Sequence, residues 1–252
     1  MKLSLLFWSK YSTVHLLLLL AVIILTSNDI QAQSPYQLSG IKEGILFGTS
    51  IGSLTFSQSK YKKIPPLTLE EIGTLNREDI LAIDRGATYN RSVFARKFSD
   101  QLLITSIAPP LLLLTDRRSR LDFDKIGLFT LQTLLINTAL TDLAKVLVKR
   151  KRPYVYNEFT DINQKLSKKA RLSFFSGHTS TVTSMYFLTA KLYADYYPNS
   201  KWKGVVWSTA ILVPATTGLL RVKAGKHYFT DVLTGFLVGA TIGFLVPEIH
   251  RL

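Results

Sequence analysis

Residues 232–246 are apolar around almost the whole circumference a helix would present, and Gly235, Gly239 and Gly243 recur along them at every fourth position. A helix of that kind has no polar face to turn towards water. Its glycines form a small-xxx-small ridge of the sort that lets helices approach closely in lipid. Further apolar stretches cover residues 44–56, 102–114, 127–148, 184–193 and 205–220. Several approach the ~20 residues needed to cross a bilayer. Polar residues interrupt them: Thr130, Gln132, Thr133, Asn137, Thr138, Thr141 and Asp142 all fall within 127–148. In lipid such residues must face protein or a water-filled site. The pattern predicts an all-α fold, an integral-membrane helical bundle of about five or six spans. A soluble all-helical domain with buried helices is the competing reading, and the stretch 232–246 argues against it.

Charge adds a direction. The 252 residues carry 31 Lys+Arg against 17 Asp+Glu, a net charge of +14. Charged residues make up 19%, below the roughly 25% of an ordinary soluble domain, and the mean hydropathy is +0.18. An apolar yet basic chain points to phosphate or an acidic membrane surface as partner. Nucleic acid fits poorly, because aromatic residues are not interleaved with the basic runs on a polar surface. Apolar residues at 47% exclude disorder, and no short period of the collagen or coiled-coil kind is sustained. The absence of cysteine rules out disulfides, a thiolate nucleophile and Cys-ligated zinc.

Residues 1–32 combine a basic start at Lys2 and Lys10, an apolar middle and a polar exit ending in Gln31-Ala32-Gln33. They are expected to be a signal peptide, cleaved after Ala32, or an uncleaved first membrane helix. Residues 33–98 are expected to form membrane-associated or interfacial helices, and 99–252 the helical core. Within the first of these, Asp84, Arg85 and Arg91 could touch substrate, though a solvated helix face is the preferred reading.

Three clusters carry chemistry. Lys145 is followed after six residues by Arg152-Pro153; alone, this is a basic helix end stopped by proline. Ser176-Gly177-His178 stands where a polar loop enters an apolar helix. Helix-start amides and a glycine make an anion site, and an imidazole there can donate a proton near neutral pH. Arg221 is followed after five residues by His227, and His227 after three by Asp231. If a helix begins near His227, the i, i+4 spacing sets Asp231 on its face, where a carboxylate holds the tautomer and frees the other ring nitrogen as a nucleophile. Gly225 would let the preceding loop turn tightly. At average residue frequencies the three patterns in order would arise by chance roughly once in 10⁵ chains or fewer.

Together the clusters resemble the type 2 phosphatidic acid phosphatase superfamily, whose pattern is Lys-x6-Arg-Pro, then Pro-Ser-Gly-His, then Ser-Arg-x5-His-x3-Asp. The resemblance covers residues 145–231, and more loosely the apolar helices from Leu102 onwards. Phe175 stands in place of the family's usual Pro, and Leu220 in place of its usual Ser. The resemblance implies that His227 is the nucleophile, passing through a phosphohistidine, with Asp231 as its orienting partner. It implies that His178 protonates the leaving group and then activates water. Lys145, Arg152 and Arg221, with the Ser176 hydroxyl and the Gly177 amide, would hold the phosphoryl oxygens. Phosphoryl transfer depends mostly on positioning and charge stabilisation, and no acidic Mg²⁺-type cluster lies near these residues in sequence. Hydrolysis without a metal or other cofactor is therefore expected.

All three clusters fall at one end of their helices. Arg117, Arg118, Arg120 and Lys125, and Lys201 and Lys203, fall at the other. The positive-inside rule sets the latter in the cytoplasm, so a bacterial inner membrane with a periplasmic active site is expected. The number of crossings then requires that residues 44–56 stay re-entrant or at the surface. The leading function is a lipid phosphate phosphatase acting on a phosphorylated or diphosphorylated membrane lipid. The alternatives are an exported soluble acid phosphatase, a vanadate-dependent haloperoxidase, or a non-catalytic polytopic lipid-binding protein or transporter.

Overall fold

The computed structural model describes residues 34–252; the leader expected at 1–32 lies outside the described residues. Among these, helices supply all the regular structure apart from one isolated antiparallel bridge between Tyr36 and Arg251. Six long helices set the frame: α1 (Gly40–Lys62), α2 (Val93–Thr105), α3 (Phe123–Val148), α4 (Gly177–Tyr196), α5 (Lys203–Lys223) and α6 (Phe229–Glu248). Helix α4 is the axis, packed against α6, α5 and α3, while α1 runs along α3 and α2 along α5.

The glycine ridge makes that packing possible. A Cβ on Gly235, Gly239 or Gly243 would collide with the backbone carbonyls of Ser176, Ser180 and Ser184 respectively. Backbone therefore meets backbone along the α4–α6 seam, as small residues allow. Most of the polar residues of α3 face inwards: Asn137 Nδ2 donates to Thr181 Oγ1 at 2.8 Å, and Asn137 Oδ1 accepts from Ser180 Oγ. Gln132 bonds Glu43 of α1, which also receives His250 at 2.9 Å.

Four segments are long and apolar enough to cross a membrane: Val93–Thr115, Phe123–Tyr156, Lys203–Lys223 and Phe229–Glu248. Large apolar side chains on them point outwards, including Leu147, Leu212, Leu219 and Leu237, each more than half exposed. Helix α4 is not in that set because its first turns, Gly-His-Thr-Ser-Thr-Val-Thr-Ser, trade hydropathy for close packing at the centre.

Of the two expectations for residues 44–56, the structure overturns the re-entrant one, and helix α1 is not among the segments long and apolar enough to cross a membrane. Helix α1 is continuous over 23 residues, about 34 Å at 1.5 Å per residue, and is neither broken nor re-entrant. Its Ser and Thr side chains bond back onto their own helix, Thr49 and Ser50 each at 2.7 Å and Thr55 at 2.9 Å. The polar content that reads as a helix interruption is thus satisfied locally.

Candidate active site

Four helix ends meet at one end of the bundle: the C-termini of α3 and α5 and the N-termini of α4 and α6. They bring the three sequence clusters together. Helix α3 stops at Lys149, which takes a left-handed conformation (φ 53°). The chain then turns through Arg150 to Pro153. Gly225, at φ +66°, packs its Cα against the Asn90 carbonyl so closely that a Cβ would overlap it. That turn delivers His227 to the mouth of α6.

His227 is 1% exposed. Its Nε2 lies 3.3 Å from Arg152 Nη1, and Arg152 is anchored on the carbonyls of Lys169 and Lys226 at 3.0 and 3.1 Å. Its Nδ1 lies 3.6 Å from Asp231 Oδ2 and has no hydrogen-bond partner. The helix starts at Phe229 with Tyr228 as N-cap, so His227 precedes it. The pair is therefore set by the capping turn and not by a helical i, i+4 face. Asp231, fully buried, accepts from Arg150 Nη1 at 2.6 Å, Ser173 Oγ at 2.5 Å and the Tyr228 amide at 3.0 Å. Burial and the charges of Arg152, Arg221 and Lys145 push the His227 imidazole well below its ordinary pKa. The shift favours the neutral imidazole.

On the other side, His178 Nε2 lies 2.9 Å from Asp100 Oδ1. Arg221 Nη1 donates to the same oxygen at 3.0 Å and to Ser99 Oγ at 3.2 Å. Lys145 projects at the start of α4: a Cβ on Gly177 would sit 3.2 Å from its Nζ. Arg150 and Arg221 are committed to carboxylates, whereas Lys145 and Arg152 are in no ion pair among the described residues. Ser176 stands at the N-cap of α4. Its buried hydroxyl caps α4, 3.4 Å from the Thr179 amide and 2.9 Å from Thr179 Oγ1. Phe175, in place of the proline, is buried against Phe174.

Buried polar atoms without partners mark the same region: Thr141 Oγ1, Arg221 Nε and His227 Nδ1. Thr141 touches the site through Gly177, whose Cβ would meet Thr141 Cγ2 at 3.0 Å. Unpaired cations, helix-start amides and unsatisfied donors in one place fit a tetrahedral oxyanion. Beside Lys145 and Arg152 opens a cavity of about 420 Å³, reaching Ser57, Gln58 and Tyr61 of α1 and Asp142 of α3.

Three residues of the site escape the sequence patterns. Asp84 is fully buried, pairs with Arg150 at 2.7 Å and caps α6 by accepting from the Thr230 amide at 3.0 Å and Thr230 Oγ1 at 2.6 Å. This corrects its reading as part of a solvated face: the segment folds over the site, with Ile80 and Ala87 packed on Tyr228. Arg150, whose guanidinium also lies 4.0 Å over the Tyr228 ring, reads in sequence as one more charge of a basic run. Asp100 carried one usable signal, an acidic residue at the edge of an apolar stretch.

The sequence profile of the PAP2 superfamily matches residues 127–251. Phospholipid phosphatase 1 of Rattus norvegicus is 30% identical over 134 residues, covering 43% of this chain and 46% of that protein. Lipid A 4'-phosphatase of Porphyromonas gingivalis is 24% identical over 127 residues, covering 50% of each. The chain thus spans about half the length of these two relatives. Among solved structures, a transmembrane PAP2-type phosphatidylglycerolphosphate phosphatase from Bacillus subtilis superposes with a TM-score of 0.50 at 22% identity, covering 79% of this chain and 94% of that one.

Proposed function

We propose that this chain, which belongs to the PAP2 superfamily through residues 127–251, is a membrane-bound phosphatase that removes phosphomonoester or diphosphate groups from a lipid without a metal. The carrying observation is the meeting of a neutral, buried His227 with the unpaired Arg152 and Lys145 and the start of α4. The related proteins are lipid phosphatases by name, which supports the substrate class.

In this mechanism Arg152, Lys145 and the α4 amides hold the phosphoryl oxygens. His227 Nε2 forms a bond to phosphorus while the bond from phosphorus to the leaving oxygen breaks. His178, entering as the imidazolium with Nε2–H donated to Asp100, gives its Nδ1 proton to that oxygen and is left neutral. The resulting phosphohistidine is stabilised by Asp231 at the Nδ1–H side; the 3.6 Å separation tightens as the imidazole gains charge. Water then gives a proton to His178 and its oxygen to phosphorus, the N–P bond breaks, and phosphate leaves. The same reading includes a bacterial inner membrane with the site towards the periplasm, because Arg117, Arg118, Arg120, Lys201 and Lys203 lie at the opposite helix ends.

The test is phosphate release by the detergent-purified protein in EDTA, from phosphatidic acid, an isoprenyl diphosphate, lipid A and a soluble aryl phosphate. Release that resists EDTA and is lost in His227→Ala supports the assignment. A folded protein that releases phosphate from none of them refutes it.

A further inference from the structure

Asp100 stands on α2, outside the segment matched by the family profile, yet a single oxygen of it holds two groups of the active site. Its Oδ1 accepts from His178 Nε2 at 2.9 Å and from Arg221 Nη1 at 3.0 Å. Side-chain exposure rises from 6% at Arg221 to 26% at His178 and 48% at Asp100, so the carboxylate stands at the open rim. The two contacts act in opposite directions. Towards His178 the carboxylate helps: it fixes the ring with Nδ1 free, and its charge favours the imidazolium that a proton donor must be. Towards Arg221 it competes with the substrate, because a guanidinium tied to a carboxylate is withheld from a phosphoryl group. Arg221 is buried, and its Nε has no partner among the described residues, so part of its donor capacity is left for an anion. The charge of Asp100 also repels an arriving phosphate directly.

We propose that Asp100 is a positioning residue that selects for poor leaving groups: it weakens phosphate binding while holding His178 as the proton donor that an alcohol needs in order to leave. The inference rests on the phosphatase reading above and deepens its acid step. An alkoxide leaves phosphorus only as His178 passes it the Nδ1 proton, whereas a nitrophenolate departs without one. Removing the charge of Asp100 therefore harms the first reaction and favours the second.

The experiment compares the full-length protein with Asp100→Asn in detergent micelles. The amide oxygen of that variant still accepts from His178 and Arg221, so the geometry stays and only the charge is lost. The substrates are phosphatidic acid, whose leaving group is an alkoxide, and nitrophenyl phosphate, with inorganic phosphate as a competitive inhibitor. In Asp100→Asn the inhibition constant of phosphate should fall about tenfold, the scale of one nearby charge at a partly screened site. The kcat/KM for nitrophenyl phosphate should rise with it, while that for phosphatidic acid should fall about 100-fold, the lower range of general acid catalysis. Asp100→Glu, which restores the charge, should move all three values back towards wild type. A purely structural role lowers both activities together, and that result, or an unchanged inhibition constant, overturns the proposal while leaving the phosphatase reading intact. A wild type inactive on both substrates overturns both.

Discussion

Arg150 donates to Asp84 across 2.7 Å although the two stand 66 positions apart, and the carboxylate it reaches is fully buried. Its other nitrogen binds Asp231 at 2.6 Å. One guanidinium thus neutralises two buried carboxylates and fixes the partner of His227. Arg150→Ala leaves both carboxylates unpaired, and a broken buried pair of this kind costs about 3–5 kcal/mol. Unfolding in detergent should show that loss. Residual activity should fall in kcat with little change in KM, because Arg150 holds Asp231 and does not touch the phosphate. Asp84→Asn should show the same split in milder form. An unchanged kcat in both variants would remove Asp84 and Arg150 from the positioning of the site.

The protonation of His227 gives a pH signature. Burial and three nearby cations lower its pKa in the folded protein, whereas the unfolded imidazole titrates near ~6.5. Below that value the unfolded chain takes up the proton first, so this group's contribution to stability falls as pH falls. In kcat/KM the acid limb due to His227 should lie below ~6.5. Arg152→Gln removes a repelling charge and should move the limb upwards relative to wild type with the same aryl phosphate, which cancels the substrate's own ionisation. A downward or absent shift would contradict this electrostatic account.

Lys226 supplies an alkaline counterpart. Burial and the charges of Arg152 and Arg221 lower its pKa to about 8, so it loses its charge as pH rises through that value. KM for an anionic substrate should increase above pH 8, and Lys226→Met should flatten the increase. A step that persists in the variant assigns it to another group.

The seam between α4 and α6 tolerates no side chain at its centre. Gly239→Val forces the helices apart where the Ser180 carbonyl and Thr183 Cβ already bear on Gly239. Overpacking of this kind costs about 1–3 kcal/mol. Because the seam begins at Ser176, activity should fall with stability. Thermal unfolding in detergent provides the check, with Leu237→Val on the exposed face as control.

The helical class and the α4–α6 contact were legible because hydropathy and glycine spacing are periodic signals carried by many residues. The clusters Lys145/Arg152, Ser176/Gly177/His178 and Arg221/His227/Asp231 were legible for a different reason: rare residue types at fixed spacings. Asp84, Asp100 and Arg150 were not. Each is one charged residue in a polar or basic stretch, and nothing local distinguishes a buried carboxylate from a solvated one. What buries Asp84 is the packing of Ile80 and Ala87 on Tyr228, a contact across more than half of the chain. The length of α1 was hidden similarly, since backbone-bonded Ser and Thr lower hydropathy without breaking a helix.

The orientation of the protein is open to a clean test, since the chain has no cysteine. Phe159 is 77% exposed beside the site, and Trp202 is 67% exposed at the opposite end. In intact cells a membrane-impermeant thiol reagent should label Phe159→Cys and spare Trp202→Cys until the membrane is broken. The reverse pattern would turn the active site to the cytoplasm.

The central claim is that His227 carries the phosphoryl group. Radiolabelled substrate should be mixed with the purified protein, the reaction stopped in alkali, and the labelled peptide identified by mass spectrometry. The account predicts label on His227, formed within one turnover and absent from His227→Ala. Label on another residue, or phosphate release at the wild-type rate by His227→Ala, would contradict it.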